Sequence, residues 1–211
     1  MSGSQQDIYR FHHREHRTSG YSILKEERSN LLRTLIGTGS TVLDIGCRDG
    51  ALTRSYLPGN NVLGIDIDEV ALAEAAKLGI EVMKVDLNGD WSELKGRTFD
   101  VVVLGEVLEH LYFPNRVLDK IHSLLRPGGK LIGSVPNAFS LKNRLRYLAG
   151  RKKYTPLGDP THINHFSKNE LVQLLTQKFR TTRIIGLGRY ERLARMWPGM
   201  CAFNLFFIAE K

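Results

Sequence analysis

The chain has 211 residues, 42% of them hydrophobic, and a formal net charge of +8 at pH 7. This length suits one domain with a substantial core. No apolar run reaches the roughly 18 residues that a membrane-spanning helix needs, and the polar N-terminus does not read as a signal segment. The two cysteines form no disulfide pattern, so we expect a reduced, cytoplasmic setting.

The polar start of the chain, residues 1–19, is rich in histidine and arginine and is expected to form an arm. Residues 20–36 follow the pattern of a helix that packs beside a sheet. The whole of residues 20–211 is expected to fold as a single domain, with a basic helical insert at about 137–166.

Two apolar runs with a glycine turn between them are the most informative local pattern. Val42–Ile45 leads into a turn with Gly46 and Gly50, and Val62–Ile65 ends in the acid Asp66. A strand, a glycine turn, a helix and a strand tipped by a carboxylate form a nucleotide-binding unit, in which the acid accepts hydrogen bonds from ribose hydroxyls. The sequence therefore predicts an adenosine-containing cofactor.

The residues of this turn argue against a dinucleotide. A pyrophosphate site has the spacing Gly-x-Gly-x-x-Gly, whereas Gly46 and Gly50 are separated by three other residues. The acid Asp44 would repel a pyrophosphate and suits a cationic ligand. The alternative is an NAD-type or non-binding domain of the same fold.

Further strands and helices alternate along the rest of the chain. The expected strands are Val82–Leu87, Phe99–Leu104, a strand after the turn 125–131, Phe179–Gly186 and Phe203–Ala209; the expected helices are at about 50–57, 68–78, 115–125, 139–149 and 167–177. This alternation predicts an α/β fold in which helices cover both faces of a parallel sheet.

Ionisable residues follow the fourth expected strand. Glu106, Glu109 and His110 occur within five residues, at the carboxyl end of a strand, where open α/β sheets bind their ligands. A second cluster, at 159–166, contains His162 and His165 and precedes a helix with a Ser-x-x-Glu capping box. We therefore expect this loop to be held in a defined place.

Segment 42–50 resembles the first motif of class I S-adenosylmethionine-dependent methyltransferases, Asp-x-Gly-x-Gly-x-Gly, with Arg48 in place of the middle glycine. The resemblance implies a Rossmann-like, seven-stranded, mostly parallel sheet whose last strand is antiparallel. It also implies that Cys47 fills the turn and is not a nucleophile. By this resemblance the cofactor-binding residues are Asp44, Gly46, Cys47, Gly50, Asp66, Ile67, Asp86, Leu87, Glu106 and Val107.

Two branches of this family share Glu-x-x-Glu-His after the fourth strand: the ubiquinone-biosynthesis O-methyltransferases and the small-RNA terminal 2′-O-methyltransferases. By resemblance to the second branch, Mg²⁺ or another divalent metal would be held by Glu106, Glu109, His110 and His162, with His165 as the alternative to His162. Without a metal, His110, His162 or His165 is a candidate general base. The alternative is a structural role, in which the Glu-His pair positions the cofactor's methionine end or caps a helix.

The expected insert is basic. Six cations and no acid occur over 142–153, and Leu141, Leu145 and Leu148 recur among them at helical spacing. Such an amphipathic helix favours contact with an anionic membrane surface through Lys142–Lys153. A phosphorylated substrate, nucleic acid and a solvated helix face remain alternatives.

These observations predict O-methylation of a hydroxyl on a catechol, sugar, glycan or other diol-bearing small molecule. Carboxyl and nitrogen acceptors are further alternatives, because the fold does not dictate the acceptor. One rival is a methionine-biosynthesis-type methyltransferase-like protein that acts with a partner. Another is a cofactor-binding or nucleic-acid-binding protein without turnover. An RNA-end 2′-O-methyltransferase ranks last, since no separate RNA-binding module is recognisable.

Overall fold

The two strands of the predicted nucleotide-binding unit are almost entirely buried, as expected of parallel strands covered on both faces. In the computed structural model, which describes residues 22–211, they are β1 (Thr41–Ile45) and β2 (Asn61–Asp66). They pair in parallel, and β3 (Glu81–Lys84) pairs in parallel with the other side of β2. The predicted arm at 1–19 lies outside the described residues.

The remaining strands are β4 (Phe99–Gly105), β5 (Leu125–Pro136), β6 (Thr181–Leu187) and β7 (Asn204–Glu210). The α-helices are α1 (Lys25–Ile36), α2 (Glu69–Lys77), α3 (Pro114–Leu124), α4 (Leu141–Leu148), α5 (Lys168–Thr176), α6 (Glu191–Met196) and α7 (Pro198–Cys201). Within residues 22–211, no helix combines the length and the apolar character needed to cross a bilayer.

The strands form one seven-stranded sheet in the order β3-β2-β1-β4-β5-β7-β6. β7 is antiparallel to both of its neighbours, β5 and β6. This confirms the predicted Rossmann-like sheet with an antiparallel last strand. The chain divides into two compact units, Met1–Val102 and Val103–Lys211, with the boundary inside β4. The single domain expected over 20–211 stays a prediction.

Three local expectations were wrong. The stretch 125–131, expected to be a turn before the fifth strand, already belongs to β5, which begins at Leu125. The helix expected at about 50–57 is only a short 3₁₀ turn, Thr53–Ser55, because side chains on this segment bond to β1 and Pro58-Gly59 follows closely. The third strand ends at Lys84, so Asp86 and the residue after it lie in the following turn. There the Asp86 carbonyl accepts a hydrogen bond from the amide of Gly89 at 2.9 Å.

The short helices α6 and α7 were not predicted. They pack tightly on β6 because Gly186 has no side chain: a Cβ there would lie 2.0 Å from the Ala194 carbonyl oxygen and 2.9 Å from the Cβ of Ala202. Helices of this length carry too few residues for a clear period, so their position depends on this packing.

Candidate functional site

The turn after β1 bends sharply over the end of β2. Gly46, Arg48 and Gly50 have φ values of 73°, 49° and 73°. Glycine adopts such left-handed angles freely, whereas arginine does so rarely. The Gly46 amide donates to the Ile65 carbonyl at 2.8 Å, and the Arg48 amide donates to Oδ2 of Asp66 at 3.0 Å. Arg48 thus takes up the left-handed conformation for which glycine is ordinarily chosen.

The buried carboxylate of Asp66 is held by backbone amides on both oxygens. Besides the Arg48 amide on Oδ2, the Asp68 amide donates to Oδ1 at 3.0 Å. Burial raises the pKa of Asp66, while the backbone N–H groups of Asp68, Arg48 and Ile67 act in the opposite direction. A carboxylate accepts about four hydrogen bonds, so it has capacity left for ligand hydroxyls.

Asp44 points at hydroxyl groups of its own unit. Its Oδ2 accepts hydrogen bonds from Thr53 Oγ1 at 2.5 Å and from the Tyr56 hydroxyl at 2.6 Å. Burial raises the pKa of Asp44 to about 6, although both hydrogen bonds favour the ionised form. Sequence reasoning missed Thr53 and Tyr56, since no local pattern connects them to β1.

Cys47 is packed into the turn and is not exposed for chemistry. Its sulfur lies where β2 has no side chain: a Cβ on Gly64 would be 2.6 Å from Sγ. Burial raises the pKa of the Cys47 thiol far above its usual range, and the negative charges of Asp44 and Asp66 act in the same direction. A protonated, buried thiol is a poor nucleophile, which agrees with a filling role.

Three more predicted cofactor residues lie near the ends of β2 and β3. Ile67 and Leu87 are half-buried, and Asp86 is exposed. Oδ1 of Asp86 accepts the amide of Asn88 at 2.9 Å, which closes a turn of the chain on itself. The roles predicted for these residues in cofactor binding stay predictions.

In the second unit, Glu106 follows β4 with a φ of 60°, an unusual angle for a residue with a side chain. Its Oε1 accepts hydrogen bonds from Ser134 Oγ at 2.7 Å and from Asn204 Nδ2 at 2.8 Å. Asn204 is fully buried, and its Oδ1 makes no hydrogen bond within residues 22–211. Val107, also predicted to line the cofactor, is buried.

Glu109, His110 and His162 come together, and we call them the histidine cluster. One side-chain nitrogen or oxygen from each lies within 4.8 Å of the others. Nε2 of His110 is 3.9 Å from Oε1 of Glu109, and the two imidazole rings meet edge to face with centroids 4.9 Å apart. The three side chains are only 2%, 11% and 8% exposed, in the order named.

The hydrogen bonds of the two rings fix where their protons lie. Nδ1 of His110 is 2.9 Å from the Thr161 carbonyl oxygen, and Nδ1 of His162 is 3.1 Å from that of Pro156. Because a carbonyl only accepts, each Nδ1 carries a hydrogen, and a ring in its neutral form has its lone pair on Nε2. Nε2 of His162 also lies 3.6 Å from Oδ2 of Asp159. Two imidazole lone pairs beside the carboxylate of Glu109 form a cluster that attracts a proton or a cation.

Backbone hydrogen bonds hold the loop of His162 in place. The Glu109 carbonyl accepts the amides of Ile163 and Asn164 at 2.8 and 2.9 Å, and Asn164 Nδ2 donates to the Leu111 carbonyl at 2.5 Å. The predicted capping box at the start of α5 is present in both of its hydrogen bonds. Sequence reasoning missed Asn164, although an asparagine between two histidines was a visible signal.

The predicted metal ligands are only partly assembled. Of the described residues, the cluster contains three of the predicted set, whereas the carboxylate of Glu106 is bound by Ser134 and Asn204. His165 also lies outside the cluster, and its Nε2 is buried without a hydrogen bond to residues 22–211. One carboxylate and two imidazoles suit zinc, manganese or iron better than Mg²⁺, which prefers oxygen ligands.

Comparisons with known proteins agree on the family. The model of the methyltransferase domain family matches residues 12–178. The ubiquinone biosynthesis O-methyltransferase of Pseudomonas syringae pv. tomato is 34% identical over 119 residues, which are 53% of this chain and 48% of that protein. The protein of the same name from Shewanella pealeana is 31% identical over 146 residues, 64% of this chain and 61% of that protein. The chain thus spans about half to two thirds of the length of these relatives.

Solved structures share the fold. An S-adenosylmethionine-dependent methyltransferase from Thermotoga maritima superposes with a TM-score of 0.67 at 17% identity, over 97% of this chain and 95% of that chain. An N-methyltransferase from Bradyrhizobium japonicum in complex with S-adenosyl-L-homocysteine superposes with a TM-score of 0.64 at 19% identity, over 96% and 97%. The chain belongs to the methyltransferase domain family, as its predicted class I S-adenosylmethionine-dependent methyltransferase motifs indicated.

Proposed function

We propose that this chain is an S-adenosylmethionine-dependent O-methyltransferase that acts on a hydroxyl of a small molecule, with a catechol or another vicinal diol favoured. The observation that carries the proposal is the turn over β2, where Gly46, Arg48 and Gly50 bend the chain around the carboxylate of Asp66. This is the arrangement that places ribose hydroxyls at the end of a second strand.

Within the first unit, Asp66 binds the ribose hydroxyls through its remaining lone pairs, and exposed Asp86 accepts a hydrogen bond from the adenine amino group. Asp44 contributes negative charge next to the turn, which suits a cationic ligand. The structural neighbour that holds S-adenosyl-L-homocysteine supports this choice of cofactor. Glu106 and Val107 are assigned, from the sequence, to the cofactor's methionine end.

When bound, S-adenosylmethionine supplies an electrophilic methyl group. The chain then has to orient the acceptor, exclude water and remove a proton. Nε2 of His110 takes the hydroxyl proton, since its Nδ1 is already committed to the Thr161 carbonyl. The carboxylate of Glu109, 3.9 Å from that nitrogen, stabilises the imidazolium that forms.

The relatives named as ubiquinone biosynthesis O-methyltransferases support an oxygen acceptor over nitrogen or carbon. This chain matches only part of the length of these relatives, so the identity of the methyl acceptor is part of the proposal. Sugars, glycans and RNA ends are alternative methyl acceptors, to be tested together with catechols.

A second candidate for the same cluster is a divalent metal. Glu109, His110 and His162 would hold it, and when bound it would lower the pKa of an acceptor hydroxyl. Thermal-shift titrations with Zn²⁺, Mn²⁺ and Mg²⁺ test this directly. Stabilisation that is lost in H162Q but kept in H165Q supports the metal; equal shifts in both variants oppose it.

We also propose that α4 and the basic residues after it touch an anionic membrane surface. None of the α4 residues is buried, and its three leucines are exposed among cations. An exposed apolar row flanked by positive charge is the pattern of an interfacial helix.

The main experiment measures transfer of a labelled methyl group into catechols, sugars, glycans and RNA ends, with and without divalent ions. The cofactor assignment is tested by S-adenosylhomocysteine affinity in D86N, with D90N as the matched control. Both aspartates are exposed, and the carboxylate of each accepts a hydrogen bond from the backbone amide two residues later in the chain. Only Asp86 is assigned to the cofactor. Weaker binding in D86N alone supports the assignment.

Stabilisation by NAD and not by S-adenosylhomocysteine would overturn the proposal. Cofactor binding without transfer to any acceptor would instead support a binding protein. Transfer that appears only after a partner enzyme is added would support the methionine-biosynthesis-type alternative.

A further inference from the structure

The segment 189–203 exposes a row of large apolar side chains in the second unit. Met196 is 62% exposed and Trp197 is 56% exposed, and they belong to a larger exposed set: Tyr190, Leu193, Met196, Trp197, Met200 and Phe203. Such a concentration of aromatic, methionine and leucine side chains on a surface marks an interaction site.

The row runs across two short helices. Tyr190, Leu193 and Met196 recur every three residues at the start of α6 and along it. Met200 lies on α7, after a break at Trp197, whose backbone is not helical. Ala194, between them in sequence, is fully buried. Arg189, Arg192 and Arg195 are all exposed and repeat every three residues beside the row.

The row is displayed by a firmly attached element. Gly186 of β6 allows α6 and α7 to approach within contact of the strand. The Nδ2 of buried Asn137 donates to the carbonyls of Pro198, Gly199 and Ala202 at 3.1, 3.3 and 2.9 Å. Because these contacts fix the backbone of α6 and α7, the apolar side chains stay exposed and do not fold back onto the protein.

The same asparagine ties this segment to the basic helix α4. Asn143 of α4 donates through Nδ2 to the Asn137 carbonyl at 3.0 Å, and Tyr147 donates its hydroxyl to the Ala138 carbonyl at 3.0 Å. α4 also contacts α7. The leucines and cations of α4 and the row on 189–203 are therefore carried by one connected piece of structure.

Charge indicates which partner this surface fits. Its exposed cations are Lys142, Arg144, Arg151, Lys152, Lys153, Arg189, Arg192 and Arg195. The acid of 189–203 is Glu191, and it pairs with Arg195 at 2.7 Å. The aromatic side chains of the row could stack on nucleic-acid bases, but its leucine and methionines and the leucines of α4 could not. Apolar and aromatic groups together, next to arginine, are typical of a lipid interface.

We infer that segment 189–203 and α4 together form a docking surface for an anionic phospholipid bilayer. Trp197 and Met196 enter the boundary between headgroups and acyl chains, and the arginines bind lipid phosphates. The inference rests on the proposed membrane contact of α4 and adds a second, apolar element to it. It does not depend on methyl transfer.

The full chain is mixed with phosphatidylcholine vesicles that contain either no anionic lipid or about 30% phosphatidylglycerol, and bound protein is measured by co-sedimentation. We expect binding only to the anionic vesicles, weakened by salt. The double variant M196S/W197S should bind about tenfold more weakly. Val70, which is exposed on α2 in the first unit, gives the matched control V70S, which should bind normally.

Insertion of Trp197 into the bilayer can be measured separately, by tryptophan fluorescence. The chain has two tryptophans, and Trp91 is buried. Lipids brominated in their acyl chains should therefore quench the fluorescence of Trp197 and leave that of Trp91 unchanged. In W197F that quenching should vanish while binding persists. R189E/R192E should bind at least about tenfold more weakly, and K95E, at an exposed lysine in the first unit, should not.

Three results would overturn the inference: normal anionic-vesicle binding in M196S/W197S, absence of quenching by brominated lipids, or self-association of the wild type that the same double variant abolishes. The proposed contact of α4 with the membrane is tested separately, by measuring vesicle binding of the K142E/R144E variant. Loss of binding in that variant and not in M196S/W197S keeps the α4 proposal and rejects this extension. Methylation of a soluble acceptor should be unchanged in M196S/W197S.

Discussion

The sulfur of Cys47 rests against the backbone of Gly64, where an added Cβ would come within 2.6 Å of Sγ and 3.1 Å of the Cys47 Cβ. The turn after β1 is thus held against β2 by packing as well as by hydrogen bonds. Gly64 lies inside a strand, where a larger residue would ordinarily be preferred, and this contact explains the exception.

G64A should distort the turn, because neither Cys47 nor the strand can move freely. We expect a loss of about 1–3 kcal/mol in the free energy of unfolding, measured by urea denaturation, and weaker S-adenosylhomocysteine binding. Removing the sulfur in C47A/G64A should restore part of the stability. Full stability in G64A would contradict the packing.

D44N should stabilise the protein at neutral pH. The pKa of Asp44 is raised to about 6 by burial, so the folded chain holds this proton more tightly than the unfolded chain. The stabilisation is complete below about pH 4 and is lost as pH rises to about 6. Above that, the ionised carboxyl costs roughly 3 kcal/mol, part of which asparagine recovers.

The measurement is the free energy of unfolding of wild type and D44N at pH 4.5 and pH 7.5, with the exposed D90N as control. The gain in D44N should be larger at pH 7.5. If the charge of Asp44 serves a cationic cofactor, the same variant should bind S-adenosylmethionine, which carries the sulfonium charge, more weakly. An equal gain at both pH values would contradict the role of Asp44 ionisation.

H110N should lower kcat at least about 100-fold and leave cofactor affinity within several-fold, because Nε2 of His110 is assigned to the acceptor proton. E109Q should lower kcat less, by removing the charge that stabilises the imidazolium. H165N is the control, since His165 lies outside the cluster. Steady-state kinetics and calorimetry check this; loss of cofactor binding in H110N would assign the histidine to the cofactor instead.

N137A should cost about 1–3 kcal/mol in the free energy of unfolding, since the carbonyls of Pro198, Gly199 and Ala202 lose their shared donor. The emission of Trp197 should change with it, as α7 loosens. N143A, which removes a single hydrogen bond from a half-buried side chain, should cost less. Equal losses would show that Asn137 has no special role in holding α7.

Much of the fold, including the glycine turn after β1, could be predicted from the sequence. Strands such as β1 and β4 are largely apolar, and turns, caps and strand ends depend on residues a few positions apart. Gly46, Gly50 and Asp66 were predicted for the same reason: a turn between two adjacent strands is a local feature, and its residue types follow from backbone angles and the end of the strand.

The composition of the histidine cluster was decided by tertiary structure. Glu106 and Glu109 looked equivalent in sequence, but the φ of 60° at Glu106 and its bonds to Ser134 and Asn204 take that carboxylate elsewhere. His162 and His165 also looked equivalent in sequence. In the structure, the backbone amides of Ile163 and Asn164 donate to the Glu109 carbonyl, and His162 therefore lies next to His110. Local periodicity carries no information about hydrogen bonds between distant segments, and these bonds determine which side chains meet.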